Sequence, residues 1–324
     1  MIGTIVQPDT QQPASRKPLT LPLLSLEAQV GNTPLLQLHN IAQVAGLSPA
    51  VQLLAKAEWF NPSGSIKDRA ALNIMRTAEW RGDLRPGMTL LDSTSGNMGI
   101  AYAMLGAVRG YRVMLTVPQN ASPERIAILR AYGATLELTD PLEGSDGALV
   151  RARQLAEENP ATFYADQYNN PANWQAHYHT TANEIWAQTG QTITHFVAGL
   201  GTSGTFTGTT RRLRELHPSV RTVSLQPNSP FNGLEGLKHM PTAIRPEFYD
   251  PSLADENRPV RTEDAYRMAR ALAREEGLFV GISAAAAVAG AVEVARDLET
   301  GVVVTVLPDN GFKYLSERFW QDAE

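Results

Sequence analysis

A lysine at the predicted start of a helix is the first candidate for chemistry. The segment 61–69 reads Asn-Pro-Ser-Gly-Ser-Ile-Lys-Asp-Arg, so Lys67 follows a turn of Pro, Gly and Ser. The positive end of the helix dipole disfavours a cation there, and the apolar neighbours Trp59, Phe60 and Ile66 would add desolvation. Both effects lower the pKa of a lysine, and a neutral amine can form a Schiff base. On position alone, an ordinary surface lysine is the alternative.

Three turns rich in small residues enter predicted helices. Two of them read Thr-Ser-Gly-Asn-Met-Gly (94–99) and Gly-Leu-Gly-Thr-Ser-Gly-Thr (199–205). Because the first N–H groups of a helix have no partner within it, one turn could bind a phosphate and the other a carboxylate. Neither contains the Walker A or the dinucleotide-binding pattern, and a tight connection with a capping hydroxyl is the plainer alternative. The third turn is Gly-Ile-Ser at 281–283, where Ser283 would be a simple N-cap.

The composition excludes several classes of protein. The 324 residues carry 28 Lys and Arg against 33 Asp and Glu, and this net charge of −5 without a basic block argues against nucleic-acid binding. The absence of cysteine excludes disulfides, thiol nucleophiles and Cys-based metal sites. We find neither the ~18 apolar residues of a membrane span nor a signal peptide, and therefore expect a cytoplasmic protein. We expect no metal site, because His177 and His179 would diverge on a helix.

The apolar pattern predicts the elements that position these turns. From Leu53 onward, short apolar runs alternate with helical patterns, which indicates an α/β fold with mostly parallel sheets. The pattern occurs twice, so we expect two α/β domains with a cleft between them. In the second half, helices are predicted to include 211–216 and 284–296. Residues 1–25 contain four prolines and are predicted to form a flexible arm.

Six motifs together resemble the cysteine synthases, also called O-acetylserine sulfhydrylases, which are pyridoxal-phosphate enzymes of fold type II. They occur in that family's order and spacing, and the resemblance covers about residue 26 to the end. The segments 166–171, 184–186 and 193–197 are most similar to the B-type isozyme. The motifs are Gly-Asn-Thr-Pro-Leu (31–35), Asn-Pro-Ser-Gly-Ser-Ile-Lys-Asp-Arg (61–69), Thr-Ser-Gly-Asn (94–97), Gly-Thr-Ser-Gly-Thr (201–205), Gly-Ile-Ser (281–283) and Pro-Asp-Asn-Gly-Phe-Lys-Tyr-Leu-Ser (308–316).

The resemblance implies two three-layer α/β domains with mostly parallel, twisted sheets, as in the β subunit of tryptophan synthase. Pyridoxal phosphate would lie in the cleft between them. Residues 61–168 would form the smaller, mobile domain that closes on the substrate carboxylate. Residues 26–60 and 169–324 would form the larger domain, which binds the cofactor phosphate. The expected assembly is a homodimer, and the expected partners are small-molecule substrates.

The resemblance also implies roles for individual residues. Lys67 would hold the cofactor covalently and act as the base in proton transfer. Asn97 would bind the ring hydroxyl, and Ser283 would face the ring nitrogen. The cofactor phosphate would be bound by Gly201, Thr202, Ser203, Gly204 and Thr205. The substrate carboxylate would be bound by Thr94, Ser95, Gly96, Met98 and Gln167.

The implied reaction is a β-replacement on an O-activated serine, with O-acetylserine as the first choice. Loss of the leaving group would give α-aminoacrylate, to which sulfide or a small sulfur nucleophile such as thiosulfate would add to give L-cysteine. Two features leave alternatives open. Met98 stands where threonine is usual, and 173–179 is similar to synthases of diaminopropionate precursors, which add an amine and use O-phosphoserine. A cofactor-binding regulatory homologue without turnover is the third reading.

Two pairs of charged residues could act at the site or could have only an ordinary structural or surface role. In the segment 227–241, Lys238 and His239 replace two arginines of the B-type pattern, and they could set the charge and size of the second substrate. As solvated loop residues they would have no such role. Asp68 and Arg69 are expected to be a helix-start acid and a solvent or interdomain partner rather than catalysts.

Overall fold

The computed structural model describes residues 25–94 and 96–320, and every structural statement below concerns those residues. The arm predicted over 1–25 therefore lies outside the described residues except for Ser25, and so does Ser95 of the expected carboxylate site. No described helix is both long enough and apolar enough to cross a membrane.

Strands and α-helices alternate along most of the described chain, as predicted. The strands are β1 (Leu35–Gln37), β2 (Val51–Ala57), β3 (Thr89–Ser93), β4 (Arg112–Pro118), β5 (Thr135–Thr139), β6 (Thr162–Tyr164), β7 (His195–Gly199), β8 (Arg221–Pro227), β9 (Glu256–Val260) and β10 (Gly301–Leu307). The helices are α1 (His39–Val44), α2 (Lys67–Arg81), α3 (Asn97–Arg109), α4 (Pro123–Ala131), α5 (Gly144–Glu158), α6 (Ala172–His179), α7 (Thr181–Gln188), α8 (Gly204–Leu216), α9 (Thr262–Glu275) and α10 (Ile282–Arg296).

The described strands form two sheets. The first has the order β1-β2-β10-β7-β8-β9 and is parallel except for β1, which runs antiparallel to β2. The second has the order β5-β4-β3-β6 and is parallel throughout. The predicted α/β class with mostly parallel sheets is confirmed. We refer to the four-stranded sheet with α2–α5 as the small unit, and to the six-stranded sheet with α1 and α6–α10 as the large unit.

Each sheet is covered by helices through its own apolar contacts. In the small unit, the predicted apolar face of α2, with Ala71, Ile74, Met75 and Ala78, is buried against α3 and the sheet. In the large unit, α9 and α10 cover one face and α7 and α8 the other, because alternate strand residues point to opposite faces. The helix α10 is almost entirely buried, which explains its run of Ala and Val.

Two helices begin earlier than the apolar pattern predicts. The first turns of α8, from Gly204, contain Gly and Thr, which are weak helix formers. Glycine is needed at position 208 because a Cβ there would lie 2.0 Å from the Trp174 carbonyl oxygen of α6. The helix α10 begins at Ile282 with Gly281 at the N-cap, so the N-cap reading of Ser283 is wrong. The elements β1, α1, β6, α6, α7 and β9 were not predicted.

Candidate active site

One cavity of about 540 Å³ collects the residues that the sequence singled out. The turn between β3 and α3 and the turn between β7 and α8 both open into it, at the carboxyl ends of parallel strands, where α/β proteins bind their ligands. Apart from Ser95, every predicted site residue lines the cavity. These residues are Lys67, Thr94, Gly96, Asn97, Met98, Gln167, Gly201, Thr202, Ser203, Gly204, Thr205 and Ser283.

Lys67 is the first residue of α2, as predicted, and lines the cavity. Burial lowers the pKa of Lys67, whereas the negative charges of Asp309 and Glu58 oppose that shift. Ile66 is 1% exposed and also lines the cavity. The expected desolvation by Phe60 is wrong, because that ring is 57% exposed and points to solvent. The desolvation of the amine therefore does not come from Phe60.

The two residues after Lys67 anchor its helix. The Asp68 carboxylate accepts hydrogen bonds from the backbone N–H of Ser63, at 2.7 Å, and from the Ser63 hydroxyl, and burial raises the pKa of Asp68 to about 6. Arg69 forms two-pronged ion pairs with Glu58 and Glu184, at 2.6–2.8 Å. Asp68 thus serves as a helix-start acid. Of the two alternatives for Arg69, the solvent-exposed one is wrong, because Arg69 is buried. Its partners Glu58 and Glu184 both lie outside 61–168, as expected of a partner between the two units.

The turn between β7 and α8 has no room for larger residues at its glycines. A Cβ on Gly201 would lie 2.3 Å from the carbonyl oxygen of Gly236, and one on Gly204 would lie 2.1 Å from Asn173 Oδ1. Ser203 adopts a left-handed conformation with φ of 62°, and its buried hydroxyl has no hydrogen-bond partner among the described residues. Such a hydroxyl beside the free N–H groups of a helix start is suited to bind an anion.

The helix α6 supports this turn from behind. Asn173 Nδ2 donates to Thr202 Oγ1 at 3.2 Å, and His177 Nε2 lies 3.4 Å from Thr205 Oγ1. His177 is buried, as expected of a structural residue, whereas His179 is exposed. Burial, together with the charges of Arg69 and Lys67, lowers the pKa of His177 well below its ordinary value. No group of three or more potential metal-ligating side chains occurs in the described part of the chain.

The turn between β3 and α3 faces the same cavity from the small unit. Gln167 is buried, and its Nε2 donates to the Ser93 carbonyl oxygen at 3.0 Å, which places this amide beside the turn. Met98 is 2% exposed and packs into the apolar core of the small unit while it also contributes to the cavity wall. Across the cavity, Ser283 lies in the first turn of α10, and a Cβ on Gly236 would lie 3.6 Å from its Oγ.

The structure adds the charged pair Arg125–Glu235, which sequence reasoning missed, and places the predicted candidate Lys238 at the site. Arg125 of α4 lines the cavity and forms an ion pair with Glu235, which belongs to the large unit. The sequence around Arg125 gives no signal for this ion pair, because Glu235 is 110 residues away in the chain. Lys238 also lines the cavity, with Nζ 3.6 Å from Asp146 Oδ1 and 4.6 Å from the centre of the Tyr168 ring. Lys238 is therefore no ordinary solvated loop residue.

Comparisons with known proteins point to one family. The family model described as "Pyridoxal-phosphate dependent enzyme" matches residues 26–309. "Cysteine synthase" from Aquifex aeolicus (strain VF5) is 48% identical over 300 residues, which is 91% of this chain and 91% of that protein. "Cysteine synthase B" from Escherichia coli (strain K12) is 44% identical over 292 residues, which is 90% of this chain and 94% of that protein.

Solved structures give the same result. Cysteine synthase (OASS) from Entamoeba histolytica superposes with a TM-score of 0.89 at 34% identity, covering 97% of this chain and 95% of that chain. O-ureido-L-serine synthase superposes with a TM-score of 0.86 at 39% identity, covering 94% of this chain and 97% of that chain.

Proposed function

The chain belongs to the pyridoxal-phosphate-dependent enzymes, within their cysteine synthase group, and from this premise we propose that it makes L-cysteine from O-acetylserine and sulfide. One observation carries the proposal. A lysine with a lowered pKa, two helix N-termini and the Ser283 hydroxyl all face one cavity of about 540 Å³. That set supplies an amine, two anion sites and a neutral hydroxyl within the space of one small cofactor and its substrate.

The residues around the cavity fit pyridoxal phosphate. The unpartnered Ser203 hydroxyl and the free N–H groups at the start of α8 would be satisfied by the phosphate, which we assign to the turn 201–205. We assign Asn97 to bind the ring hydroxyl of the cofactor and Ser283 to face its ring nitrogen. Lys67 would form the covalent link. The glycine contacts support this assignment, because side chains at Gly201 and Gly204 would displace the turn.

The chain's own residues would bind the substrate and move its protons. When bound, pyridoxal phosphate supplies the electron sink for loss of the α-proton and of the β-substituent. The Lys67 amine, whose pKa is lowered by burial, would accept the proton from the substrate Cα. We assign the substrate carboxylate to the turn 94–98, Ser95 included, and to Gln167. Ser283 carries no charge and would not hold a proton on the ring nitrogen, which favours elimination over transamination.

We also propose that the small unit, over 61–168, moves as a domain against 26–60 and 169–324, and that the protein is a homodimer. The pairs Arg125–Glu235 and Lys238–Asp146 support the first part, because each joins the two units beside the cavity through a partly exposed carboxylate, which water can solvate when the units part. X-ray scattering of the holoenzyme should give a smaller radius of gyration with O-acetylserine than without it. Sedimentation equilibrium should give twice the mass of one chain.

The central experiment is to locate the cofactor and then measure turnover. Borohydride reduction of the holoenzyme should attach the cofactor to the peptide that contains Lys67. We expect Lys67→Ala to lose this label, whereas Lys238→Ala, which removes a second lysine of the cavity, should keep it. The unmutated enzyme should then release acetate and cysteine in equal amounts from O-acetylserine and sulfide. A label on another lysine, or no turnover, would contradict the proposal.

A nucleophile other than sulfide is the second candidate. It is favoured by Met98 at the cavity wall and by the structural likeness to O-ureido-L-serine synthase. The same assay with O-acetylserine or O-phosphoserine, and with an amine or hydroxyurea in place of sulfide, distinguishes the candidates. If Met98 weakens the binding of the substrate carboxylate, Met98→Thr should lower the KM for O-acetylserine severalfold. An unchanged KM would remove this argument for the second candidate.

A further inference from the structure

The side-chain amide of Asn97 is held at both ends by charged residues of the other unit. Asn97 is the first residue of α3 in the small unit, whereas Asp309 and Lys313 follow β10 of the large unit. Asn97 Nδ2 donates to Asp309 Oδ2 at 2.8 Å, and Lys313 Nζ donates to Asn97 Oδ1 at 2.8 Å. The two hydrogen bonds therefore join the units directly beside the cavity.

These two contacts select one orientation of the amide. An amide keeps its shape when its nitrogen and oxygen exchange places, so packing alone does not choose between the two. Exchange would set the amide oxygen of Asn97 against the Asp309 carboxylate and the NH₂ group against the Lys313 ammonium, and both contacts would become repulsive. In the favoured orientation, Nδ2 has a second N–H that is used in no hydrogen bond among the described residues.

Both charged residues are themselves held in place. The three N–H groups of Lys313 have three acceptors, namely Asn97 Oδ1 and the carbonyl oxygens of Ser63 and Gly64, at 2.8, 3.3 and 3.2 Å. Asp309 Oδ2 also accepts from the Tyr314 hydroxyl at 2.8 Å. Burial raises the pKa of Asp309, while the Lys313 charge and the hydrogen bonds from Asn97 and Tyr314 favour its ionised form. Neither Asp309 nor Lys313 is among the described residues that line the cavity.

We propose that Asp309 and Lys313 are positioning residues that orient the Asn97 amide, so that its second N–H is presented to the ring oxygen of the cofactor. The proposal rests on the proposed function, in which Asn97 binds that oxygen. Because Asn97 and its two partners belong to different units, the orientation is complete only in the arrangement seen here. The pair acts through Asn97 and has no contact of its own with the cofactor.

The test is a double-mutant cycle on cofactor binding. The dissociation constant of pyridoxal phosphate is measured by fluorescence titration of apoprotein prepared from the holoenzyme, for unmutated protein, Asn97→Ala, Lys313→Met and the double variant. We expect Lys313→Met to weaken binding about fivefold when Asn97 is present and to have no effect when it is alanine. Asp309→Asn provides a second cycle should Lys313→Met fail to fold. Because the Asp309 charge also acts on Lys67, we expect its effect on binding to be larger with Asn97 than with alanine, but not to vanish with alanine.

Lys56 offers a matched control. It is a second buried lysine, and its Nζ donates to the Thr33 carbonyl oxygen at 2.6 Å and to Gln188 Oε1 at 2.9 Å. We expect Lys56→Met to lower thermal stability while it changes cofactor affinity by the same factor with or without Asn97. If Lys313→Met also has the same effect in both backgrounds, the positioning role is overturned and a structural one replaces it. If the unmutated protein binds no pyridoxal phosphate, the proposed function itself fails.

Discussion

His177 of α6 connects Thr181 to Thr205 through its two ring nitrogens. Nδ1 lies 3.0 Å from Thr181 Oγ1, and Nε2 lies 3.4 Å from Thr205 Oγ1. A phosphate ester in the turn 201–205 would only accept hydrogen bonds, so the Thr205 hydroxyl would donate to it and accept from Nε2–H. Nδ1 would then accept from Thr181. The lowered pKa of His177 agrees with this neutral form of the ring.

We therefore expect His177→Gln to weaken binding of pyridoxal phosphate about fivefold and binding of pyridoxal, which lacks the phosphate, less than about twofold. The loss of one hydrogen bond behind the phosphate site is the physical reason. Equilibrium dialysis with both ligands measures it, and His179→Gln, an exposed residue on the same helix, is the control. Equal losses for both ligands would contradict a role at the phosphate.

Gly201→Ala should lower the affinity for pyridoxal phosphate about tenfold or more. The new Cβ would lie 2.3 Å from the Gly236 carbonyl oxygen, which is backbone and cannot rotate away, so the turn must shift. Gly82→Ala is the control. Its left-handed φ of 79° makes the change unfavourable, but nothing lies within 4 Å of the new Cβ. Fluorescence titration should show a loss for the first variant only.

Lys238 should discriminate between sulfur donors by charge. The Lys238 ammonium lines the cavity, and its one ion-pair partner among the described residues is Asp146, at 3.6 Å, so an anionic donor that enters the cavity would be attracted to Nζ. We expect Lys238→Met to raise the KM for thiosulfate about fivefold and to change that for sulfide little. His239→Gln, next to it but outside the cavity lining, should change neither. Steady-state kinetics with the two donors would decide, and an equal effect on both would argue against this role.

Glu184 should stabilise the fold in a pH-dependent way. Burial alone would raise its pKa, but the Arg69 and Lys56 cations lower it from 4.5 to about 2. The folded pKa is thus below the unfolded one. The contribution is therefore complete above about pH 4.5 and is lost as the pH falls towards 2. We expect Glu184→Gln to cost about 3 kcal/mol at pH 7, because it leaves buried cations partly uncompensated.

Urea unfolding at several pH values measures this difference, which should shrink steadily below pH 4.5. The control is Glu215→Gln, which removes an exposed glutamate whose side chain is 51% accessible and pairs with Arg212. It should change stability little at any pH. A difference for Glu184→Gln that does not depend on pH would show that its charge is not responsible.

Much of the candidate site could be predicted from local sequence. Lys67 at the start of a helix, the turns at 94–99 and 199–205, and the parallel α/β class all follow from short segments, because strand periodicity, turn residues and helix starts are local properties. Predictions from the same local properties were wrong for the start of α8 and for the N-cap of α10. There, packing against α6 and the use of Gly281 overrode local preference.

Only the tertiary structure shows which polar and charged side chains contact each other. The pairs Arg125–Glu235 and Asn97–Asp309, and the contact of Lys313 with Asn97, join residues 110, 212 and 216 positions apart. No periodicity or spacing marks such partners, since they become neighbours only when two sheets pack around one cavity. By itself, the sequence determined the kinds of groups that this protein brings to its chemistry. Their orientation and charge state depend on burial and on distant partners, which only the folded chain supplies.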